Sequence, residues 1–201
     1  MTLDRFYLIV EDAAWIERLV PLGVKLVQLR IKNQPAEHVR REVAVAKSLC
    51  ARLGACLVVN DYWQCALEER CAFVHLGQTD LDGADVRALR RADIRIGIST
   101  HSHAELDRAL QFDPDYIALG PIYPTMLKRM PWEPQGLRRI VEWKRLVGPR
   151  PLVAIGGITA DRLSEVFAAG ADSAAVVSDV CRHPAPEARV REWLTLCAKL
   201  R

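Results

Sequence analysis

The sequence predicts an α/β fold of eight strand–helix units, and three observations support this. Short apolar runs recur along the chain, and most segments between them have helical spacing. The runs are continuously apolar rather than alternating, which is typical of parallel strands buried on both faces. No linker or low-complexity segment interrupts the 201 residues. Together these observations favour a single-domain (β/α)8 TIM barrel over residues 1–201.

The predicted strands are the short apolar runs, several of which are rich in Val and Ile. In chain order they are Phe6–Val10, Leu26–Arg30, Cys56–Asn60, Phe73–Leu76, Arg95–Ser99, Tyr116–Leu119, Leu152–Ile155 and Ser173–Val177. The alternative, an open doubly wound sheet, usually has a glycine-rich turn after its first strand. Residues 11–13 read EDA at that place, so the barrel is favoured.

The predicted helices lie between these strands and carry apolar residues at helical spacing. They are Ala14–Leu22, Pro35–Leu53, Cys65–Arg70, Val86–Arg91, Ala104–Leu110, Leu137–Leu146, Ala160–Ala169 and Pro186–Leu200. Two of them begin with a proline, which the first turn of a helix tolerates. The pattern is weakest in the third helix.

Composition excludes several classes of protein. Lys and Arg exceed Asp and Glu by only three, and no basic stretch is typical of nucleic-acid binding, so nucleic acid is not an expected partner. The longest apolar runs are too short to span a membrane, and the N terminus does not resemble a secretory signal. The six cysteines contain no CxxC pair, so free thiols in a cytoplasmic protein are expected, with a zinc site as the weaker alternative.

Cationic and amide side chains follow the second strand, at the end where barrels of this class hold their active sites. Gln28, Arg30 and Lys32 alternate along the chain and are expected to point together into the barrel mouth. Arg30, Lys32 and Lys128, the last from the long loop after the sixth strand, suit phosphate oxygens. Internal salt bridges are the alternative, and we favour a bound phosphate.

Two carboxylates, Asp61 and Asp80, follow the neighbouring third and fourth strands. Mg²⁺ is typically held by one or two carboxylates together with substrate phosphates and water, so the pair predicts an Mg²⁺ site. The alternative is a helix cap, and it applies most to Asp80, which lies in a turn-like stretch.

A second phosphate region is predicted after the last two strands. Gly156 and Gly157 provide an unhindered backbone before the seventh helix, and barrels commonly bind a phosphate with the loops after strands seven and eight. Val177 and Ser178 follow the eighth strand and are expected to act with Gly157. Two phosphate regions, one with Mg²⁺, suggest group transfer between two small phosphorylated substrates, with diphosphate as the leaving group.

Ordered motifs through nearly the whole chain resemble those of the thiamine-phosphate synthase family. They are QLRIK at 28–32, ND at 60–61, HLGQTD at 75–80, GISTH at 97–101, ALGP at 118–121, PT at 124–125, PQG at 134–136, AIGGI at 154–158 and VVS at 176–178. The resemblance implies a transferase that joins 4-amino-5-hydroxymethyl-2-methylpyrimidine diphosphate to the nitrogen of 4-methyl-5-(2-phosphoethyl)thiazole. The products would be thiamine phosphate and diphosphate.

The resemblance also implies a role for each motif residue. The residues that would bind the pyrimidine diphosphate are Gln28, Arg30, Lys32, Asn60, Ser99 and Lys128. Of these, Arg30, Ser99 and Lys128 would act in catalysis, and Asp61 and Asp80 would hold Mg²⁺. The residues that would bind the thiazole phosphate are Thr125, Gly156, Gly157, Val177 and Ser178.

One position departs from the family pattern. The loop after the sixth strand reads PTMLK at 124–128 where the family has PTxTK, so Leu127 replaces a threonine that would bind the thiazole phosphate. A hydrogen bond to a charged group contributes about 1.5–3 kcal/mol, so weaker thiazole binding is predicted rather than an inactive enzyme. A changed acceptor substrate is the other interpretation.

Two other functions fit parts of the pattern. A thiazole tautomerase would use the thiazole side with His101 as acid–base group, but it would leave the motifs at 28–32 and 60–61 without a task. A non-catalytic binder of thiamine precursors would have a similar polar face, and only turnover distinguishes it. His75 is expected to be a hydrogen-bonded core residue, the loop 120–136 is a candidate lid, and the oligomeric state, a homo-oligomer included, is left open.

Overall fold

Eight parallel strands close into a barrel in a computed structural model that describes residues 2–125 and 132–200. Each strand pairs with the next along the chain, and β8 pairs with β1. The strands are β1 Phe6–Val10, β2 Leu26–Leu29, β3 Cys56–Asn60, β4 Phe73–Leu76, β5 Arg95–Thr100, β6 Tyr116–Leu119, β7 Leu152–Ile155 and β8 Ser173–Val176. The predicted single-domain (β/α)8 TIM barrel is confirmed.

The helices of the described residues surround this barrel. They are α1 Ala13–Leu19, α2 Ala36–Leu53, α3 Trp63–Glu68, α4 Val86–Arg91, α5 His103–Leu110, α6 Gly136–Val147, α7 Leu163–Ala168, α8 Ser178–Cys181 and α9 Pro186–Lys199. Three short 3-10 turns accompany them, at Val20–Leu22, Asp80–Asp82 and Ala160–Arg162. The first and last of these turns take up parts of two predicted helices, and α8 was not predicted.

Side-chain caps explain where several helices begin. Asp12 Oδ1 accepts from the amide of Trp15 at the start of α1, and Asp85 Oδ1 accepts from the amide of Ala88 in α4. Such caps satisfy amides that have no partner within the helix. The capping residues therefore set the first turns of α1 and α4.

Two apolar layers hold the barrel. The outer layer lies between strands and helices and includes the fully buried Trp143 and Trp193. The inner layer fills the barrel itself and includes the rings of Tyr7, Phe73 and Tyr116. Gly97 makes room for one of them, because a Cβ there would lie 2.1 Å from Cζ of Tyr116. The Tyr116 side chain therefore crosses the interior below the mouth.

Candidate functional site

The carboxyl ends of β2 to β4 gather cationic and acidic groups at the barrel mouth. Gln28 is 3% exposed and donates through Nε2 to Tyr7 Oη at 2.9 Å, so it points into the barrel. The ammonium group of Lys32 pairs with Asp61 Oδ2. Burial lowers the pKa of His75 on β4, and the positive charges of Arg30 and Lys32 lower it further. Two cations therefore face the same mouth as the predicted metal ligands.

The two carboxylates predicted to hold Mg²⁺ lie together. Burial, and next the charge of Asp61, raise the pKa of Asp80. Asp80 Oδ2 accepts from the amide of Gly77 at 3.0 Å, three residues upstream, rather than from an amide of its own turn. Asp61 has φ of 63°, a left-handed conformation that Asp adopts more readily than most residues. Two adjacent carboxylates suit Mg²⁺, which completes its coordination with phosphate oxygens and water.

In the described part of the chain, the pair has no third His, Cys, Asp or Glu ligand beside it. Within residues 2–125 and 132–200, no group of three or more His, Cys, Asp or Glu side chains could hold a metal ion. Mg²⁺ commonly keeps several waters and binds substrate phosphates alongside one or two carboxylates. The donor set therefore fits an ion that arrives with, or is completed by, a phosphorylated substrate.

Asn60 is a buried donor at the end of β3. It is 4% exposed, and the described part of the chain offers its Nδ2 no hydrogen-bond partner. A buried donor without a partner costs about 1–3 kcal/mol, so such groups are rare unless a ligand or water uses them. The position between β2 and β4 makes Asn60 a ready donor to a ligand in the mouth.

A chain of hydrogen-bonded polar side chains crosses the barrel interior, and Ser99 on β5 is its last member. His75 Nε2 lies 2.8 Å from Ser99 Oγ, and His75 Nδ1 lies 2.7 Å from Tyr116 Oη. Tyr116 Oη lies 3.0 Å from Tyr7 Oη, which in turn accepts from Gln28. We call these five residues the interior polar chain. Burial lowers the pKa of His75 to about 4, so its ring is neutral near pH 7.

The loop after β7 is built from backbone rather than side chains. Gly156 and Gly157 have φ of 96° and 67°. The segment after β6 packs on them, with the amide of Tyr123 donating to the Gly156 carbonyl at 3.0 Å. A Cβ on Gly157 would lie 2.6 Å from the Pro124 carbonyl oxygen. The glycines are therefore required by backbone conformation and by close approach, and Thr125 follows this contact directly.

The seventh helical segment begins at Ala160, the residue at which the sequence predicted it. A 3-10 turn begins at Ala160, and α7 begins only at Leu163 and has six residues. After β8, Val177 leads into the short helix α8, which begins at Ser178. A short extra helix after the last strands is a frequent part of phosphate sites in barrels of this class.

A family model described as thiamine monophosphate synthase matches residues 6–180. The chain belongs to this family. The thiamine-phosphate synthase of Rhizobium etli is 58% identical over 201 residues, covering 100% of this chain and 98% of that protein. The thiamine-phosphate synthase of Neisseria meningitidis is 44% identical over 192 residues, which are 96% of this chain and 94% of that protein.

The fold of this family is also found among solved structures. Thiamine phosphate pyrophosphorylase from Pyrococcus furiosus superposes with a TM-score of 0.83 at 27% identity, covering 98% of this chain and 96% of that one. The predicted family is confirmed, and with it the prediction of a thiamine-phosphate synthase and thus of a transferase. In the described part of the chain, none of the helices is long and apolar enough to cross a membrane.

Two of the predicted residues lie outside the described residues, and His101 has a side-chain partner of its own. Lys128 and Leu127 belong to residues 126–131, outside the described ranges, as does the middle of the candidate lid. His101 pairs through Nδ1 with Glu105 Oε2 at 2.7 Å and stacks on Trp132 at 5.8 Å. It borders a cavity of about 440 Å³ lined by residues of 101–103 and 132–139, beside α5 and α6.

Sequence reasoning did not single out Tyr7 and Tyr116, and it gave His75 no more than a satisfied core position. Both ring nitrogens of His75 have hydrogen-bond partners, as expected for such a core residue. The signal that could have found the tyrosines is the glycine at position 97, because a glycine inside a buried strand often marks the close approach of another group.

Proposed function

We propose that this chain transfers the pyrimidine-methyl group of 4-amino-5-hydroxymethyl-2-methylpyrimidine diphosphate to the nitrogen of 4-methyl-5-(2-phosphoethyl)thiazole. The observation that carries the proposal is the Asp61–Asp80 pair beside Lys32 at the ends of β2 to β4. Cations and paired carboxylates at one place suit a diphosphate with its metal ion. Family membership supplies the identity of the substrates.

The chemistry is a substitution at the pyrimidine methylene carbon. The C–O bond to diphosphate breaks, and its electron pair leaves with the diphosphate. The lone pair of the thiazole nitrogen then forms the new C–N bond, which gives thiamine phosphate. In the family, departure comes first and leaves a pyrimidine-methyl cation, which a site closed to water protects.

Each charged residue of the mouth has a task in this substitution. Asp61 and Asp80 would hold Mg²⁺, which when bound neutralises charge that develops on the diphosphate. Arg30 and Lys32 stabilise the departing diphosphate through its oxygens, as does Lys128 from the loop. Lys32 leaves Asp61 for the diphosphate when the substrate binds. The surplus positive charge of the mouth is thus matched by the substrate.

The amide and hydroxyl groups of this half orient the same substrate. Asn60 supplies its unpartnered Nδ2 as a donor. Gln28 lies on the neighbouring strand β2, and Ser99 lies on β5, two strands away on the other side. The pyrimidine diphosphate is held between these donors and the cations. Donors already fixed by the barrel lose little entropy when they bind, which favours the reactive geometry.

The thiazole phosphate occupies the other half of the mouth. Gly156 and Gly157 provide backbone without side chains, and Val177 and Ser178 lie on the neighbouring strand end. Thr125 supplies a hydroxyl from the loop after β6. Both substrates are small phosphorylated molecules, and they occupy opposite halves of one barrel mouth.

The direct test is turnover. Purified protein is mixed with both substrates and Mg²⁺, and thiamine phosphate is measured by its fluorescence after oxidation. Product is expected, and it should disappear when Mg²⁺ is chelated or in Asp61→Ala. Asp82→Asn is the matched control, because Asp82 shares a turn with Asp80 but pairs with Arg108. Chelation that leaves the rate unchanged would contradict the metal assignment.

The same assay addresses the other interpretations. If neither the wild type nor Leu127→Thr forms product, the synthase proposal fails. Isomerisation of the thiazole phosphate that is lost in His101→Asn would then indicate a tautomerase. Binding of both precursors without turnover would indicate a binding protein.

A further inference from the structure

We propose that the interior polar chain positions Ser99 by fixing which nitrogen of His75 carries the proton, so that the serine hydroxyl donates into the mouth. The proposal rests on the proposed function, in which Ser99 binds the pyrimidine diphosphate. Tyr7, Tyr116 and His75 are positioning residues, because they act on the substrate only through Gln28 and Ser99.

The first step of the argument is that the chain is continuous and buried. Its members come from β2, β1, β6, β4 and β5 in that order, and its four contacts measure 2.9, 3.0, 2.7 and 2.8 Å. Gln28, Tyr7, Tyr116 and His75 are between 0% and 8% exposed. Water therefore has little access, and each group depends on its neighbours in the chain for hydrogen bonds.

The second step is the direction of these bonds. The amide nitrogen Nε2 of Gln28 can donate a hydrogen bond but cannot accept one, so Tyr7 Oη is the acceptor of this bond. The hydroxyl hydrogen of Tyr7 is then left for Tyr116. A tyrosine hydroxyl has one hydrogen, so Tyr116 passes its own to His75 Nδ1. The proton of the neutral imidazole then lies on Nε2 and is donated to Ser99 Oγ. One donor at Gln28 thus sets the direction of every later bond.

The third step is that the geometry is held by packing. The Tyr116 ring stacks on the His75 ring with 5.6 Å between the ring centroids. The centroids of the Phe73 and Tyr7 rings lie 5.4 Å and 6.1 Å from that of Tyr116. Gly97 leaves no space for the ring to move toward β5, since even a Cβ there would overlap it. The Tyr116 hydroxyl is therefore fixed, and with it the donor to His75.

The consequence concerns the proton of Ser99. When His75 donates from Nε2, the serine accepts that bond and its own hydrogen is free to turn to the mouth. A diphosphate oxygen only accepts, so a serine that donates stabilises it. With the proton on Nδ1 instead, Ser99 would donate to His75 and would present only lone pairs to the anion.

Gln78 secures the backbone of the same residue. Its Nε2 donates to the carbonyl of Ser99 at 2.7 Å. The carbonyl is therefore held by β4's loop, and the hydroxyl by the interior polar chain. Ser99 has little freedom besides the rotation of its own hydrogen.

The first experiment observes the tautomer directly. The full-length protein is labelled with ¹⁵N-histidine, and the ring nitrogen shifts are recorded without substrate, with His75→Asn for assignment. We expect a protonated Nε2 and an unprotonated Nδ1 in the wild type. Tyr116→Phe removes the donor to Nδ1, and Tyr7→Phe separates Tyr116 from Gln28, so each should give a mixture of tautomers. Thr100→Val leaves the interior polar chain intact and should not. A wild-type ring protonated on Nδ1 would overturn the proposal, whatever the enzyme's activity.

The second experiment measures function. Ser99→Ala should lower kcat/KM for the pyrimidine diphosphate about tenfold or more, as expected for a lost bond to a charged group, and leave KM for the thiazole unchanged. Tyr116→Phe should lower the same constant in proportion to the loss of the Nε2-protonated tautomer. The double variant should fall no further than Ser99→Ala, because both changes act on the same donor. Losses that multiply in the double variant would contradict the proposal.

A matched control separates positioning from stability. Thr100 is the next residue on β5, and its buried hydroxyl bonds to the Ala118 carbonyl and Trp143 on the helix side. Thr100→Val should lower Tm and leave kcat/KM unchanged. If Tyr116→Phe behaves like this control, the proposal is wrong although the proposed function stands.

If neither the wild type nor Leu127→Thr shows turnover, the proposed function fails separately. Affinity for inorganic diphosphate with Mg²⁺, measured by calorimetry, then replaces kcat/KM. A loss of affinity in both Ser99→Ala and Tyr116→Phe supports the positioning of Ser99. Unchanged affinity in Tyr116→Phe overturns it.

Discussion

The two halves of the barrel mouth are built by different means. The half formed by β2 to β5 presents side chains, with two carboxylates, two cations and several buried amide and hydroxyl groups. The half formed by β7 and β8 presents backbone, with two glycines at positive φ and the start of a short helix. A diphosphate with a metal ion needs concentrated charge, whereas a monophosphate ester can be held by amides and shape.

This difference determines how each half fails. The side-chain half loses function when a group is removed, because the neighbouring charges then lack their partner. The backbone half loses function when atoms are added, because a Cβ there would overlap the segment after β6. Substitutions of opposite kinds therefore test the two halves.

The largest effect is expected from Asp80→Asn in the side-chain half. Half of the carboxylate pair is lost, so kcat/KM should fall by about two orders of magnitude or more, as for other lost groups that stabilise transition-state charge. The measurement is the rate across an Mg²⁺ titration, which should need higher concentrations. Asp82→Asn serves as the control, and equal rates for the two variants would contradict the assignment.

Gly157→Ala should break the backbone half. Its φ of 67° costs a residue with a Cβ about 1–2 kcal/mol, and the overlap with Pro124 adds to this. We expect a lower Tm and a higher KM for the thiazole, with Mg²⁺-dependent binding of diphosphate retained. Gly83→Ala is the control, because its φ is −104° and nothing lies within 4 Å of a Cβ there. Loss of diphosphate binding in Gly157→Ala would mean that the halves are not separate.

Leu127→Thr should strengthen the backbone half. A regained hydroxyl donor to the thiazole phosphate is predicted to lower the thiazole KM about tenfold, with the KM of the pyrimidine diphosphate unchanged. Leu146→Thr, a change of the same kind at an exposed position of α6, should alter neither constant. A thiazole KM that stays the same would favour a changed acceptor substrate.

The smallest effect at neutral pH concerns the free energy of unfolding, which should depend on pH through His75 in the side-chain half. Burial keeps the folded pKa of His75 near 4, below its ordinary value of 6.5, so the unfolded chain binds more protons between these values. Stability contributed by the neutral ring is complete above pH 6.5 and is lost as pH falls toward 4. Thermal unfolding should show a smaller loss in His75→Asn than in the wild type or in His38→Asn on α2. Parallel curves for all three proteins would contradict the prediction.

The strands and the polar end of the barrel could be predicted because both leave local signals. Parallel strands buried on two faces are continuously apolar, and most charged groups of the site stand in the strand-end turns. The short helix α8 left no such signal, because its four residues are too few to show a helical period.

The interior polar chain could not be predicted for a different reason. Tyr7 and Tyr116 are 109 residues apart and meet only because β1 and β6 face each other across the interior. Tyrosine in a strand is ordinary, so its hydroxyl draws no attention until the partner is known. Gly157 shows the intermediate case, since the sequence indicated an open backbone but not its contact with Pro124.

The pairing of β8 with β1 has a consequence for how the chain matures. Phe6 of the first strand is in register with Ala174 of the last, so the nascent chain carries an unpaired β1 edge through most of its synthesis. Exposed strand edges recruit other strands, and contacts so distant in sequence form slowly. The exposed edge of β1 is covered only after β8, Ser173–Val176, has been synthesised. The residues of β8 therefore matter for solubility in the cell as well as for the site they complete.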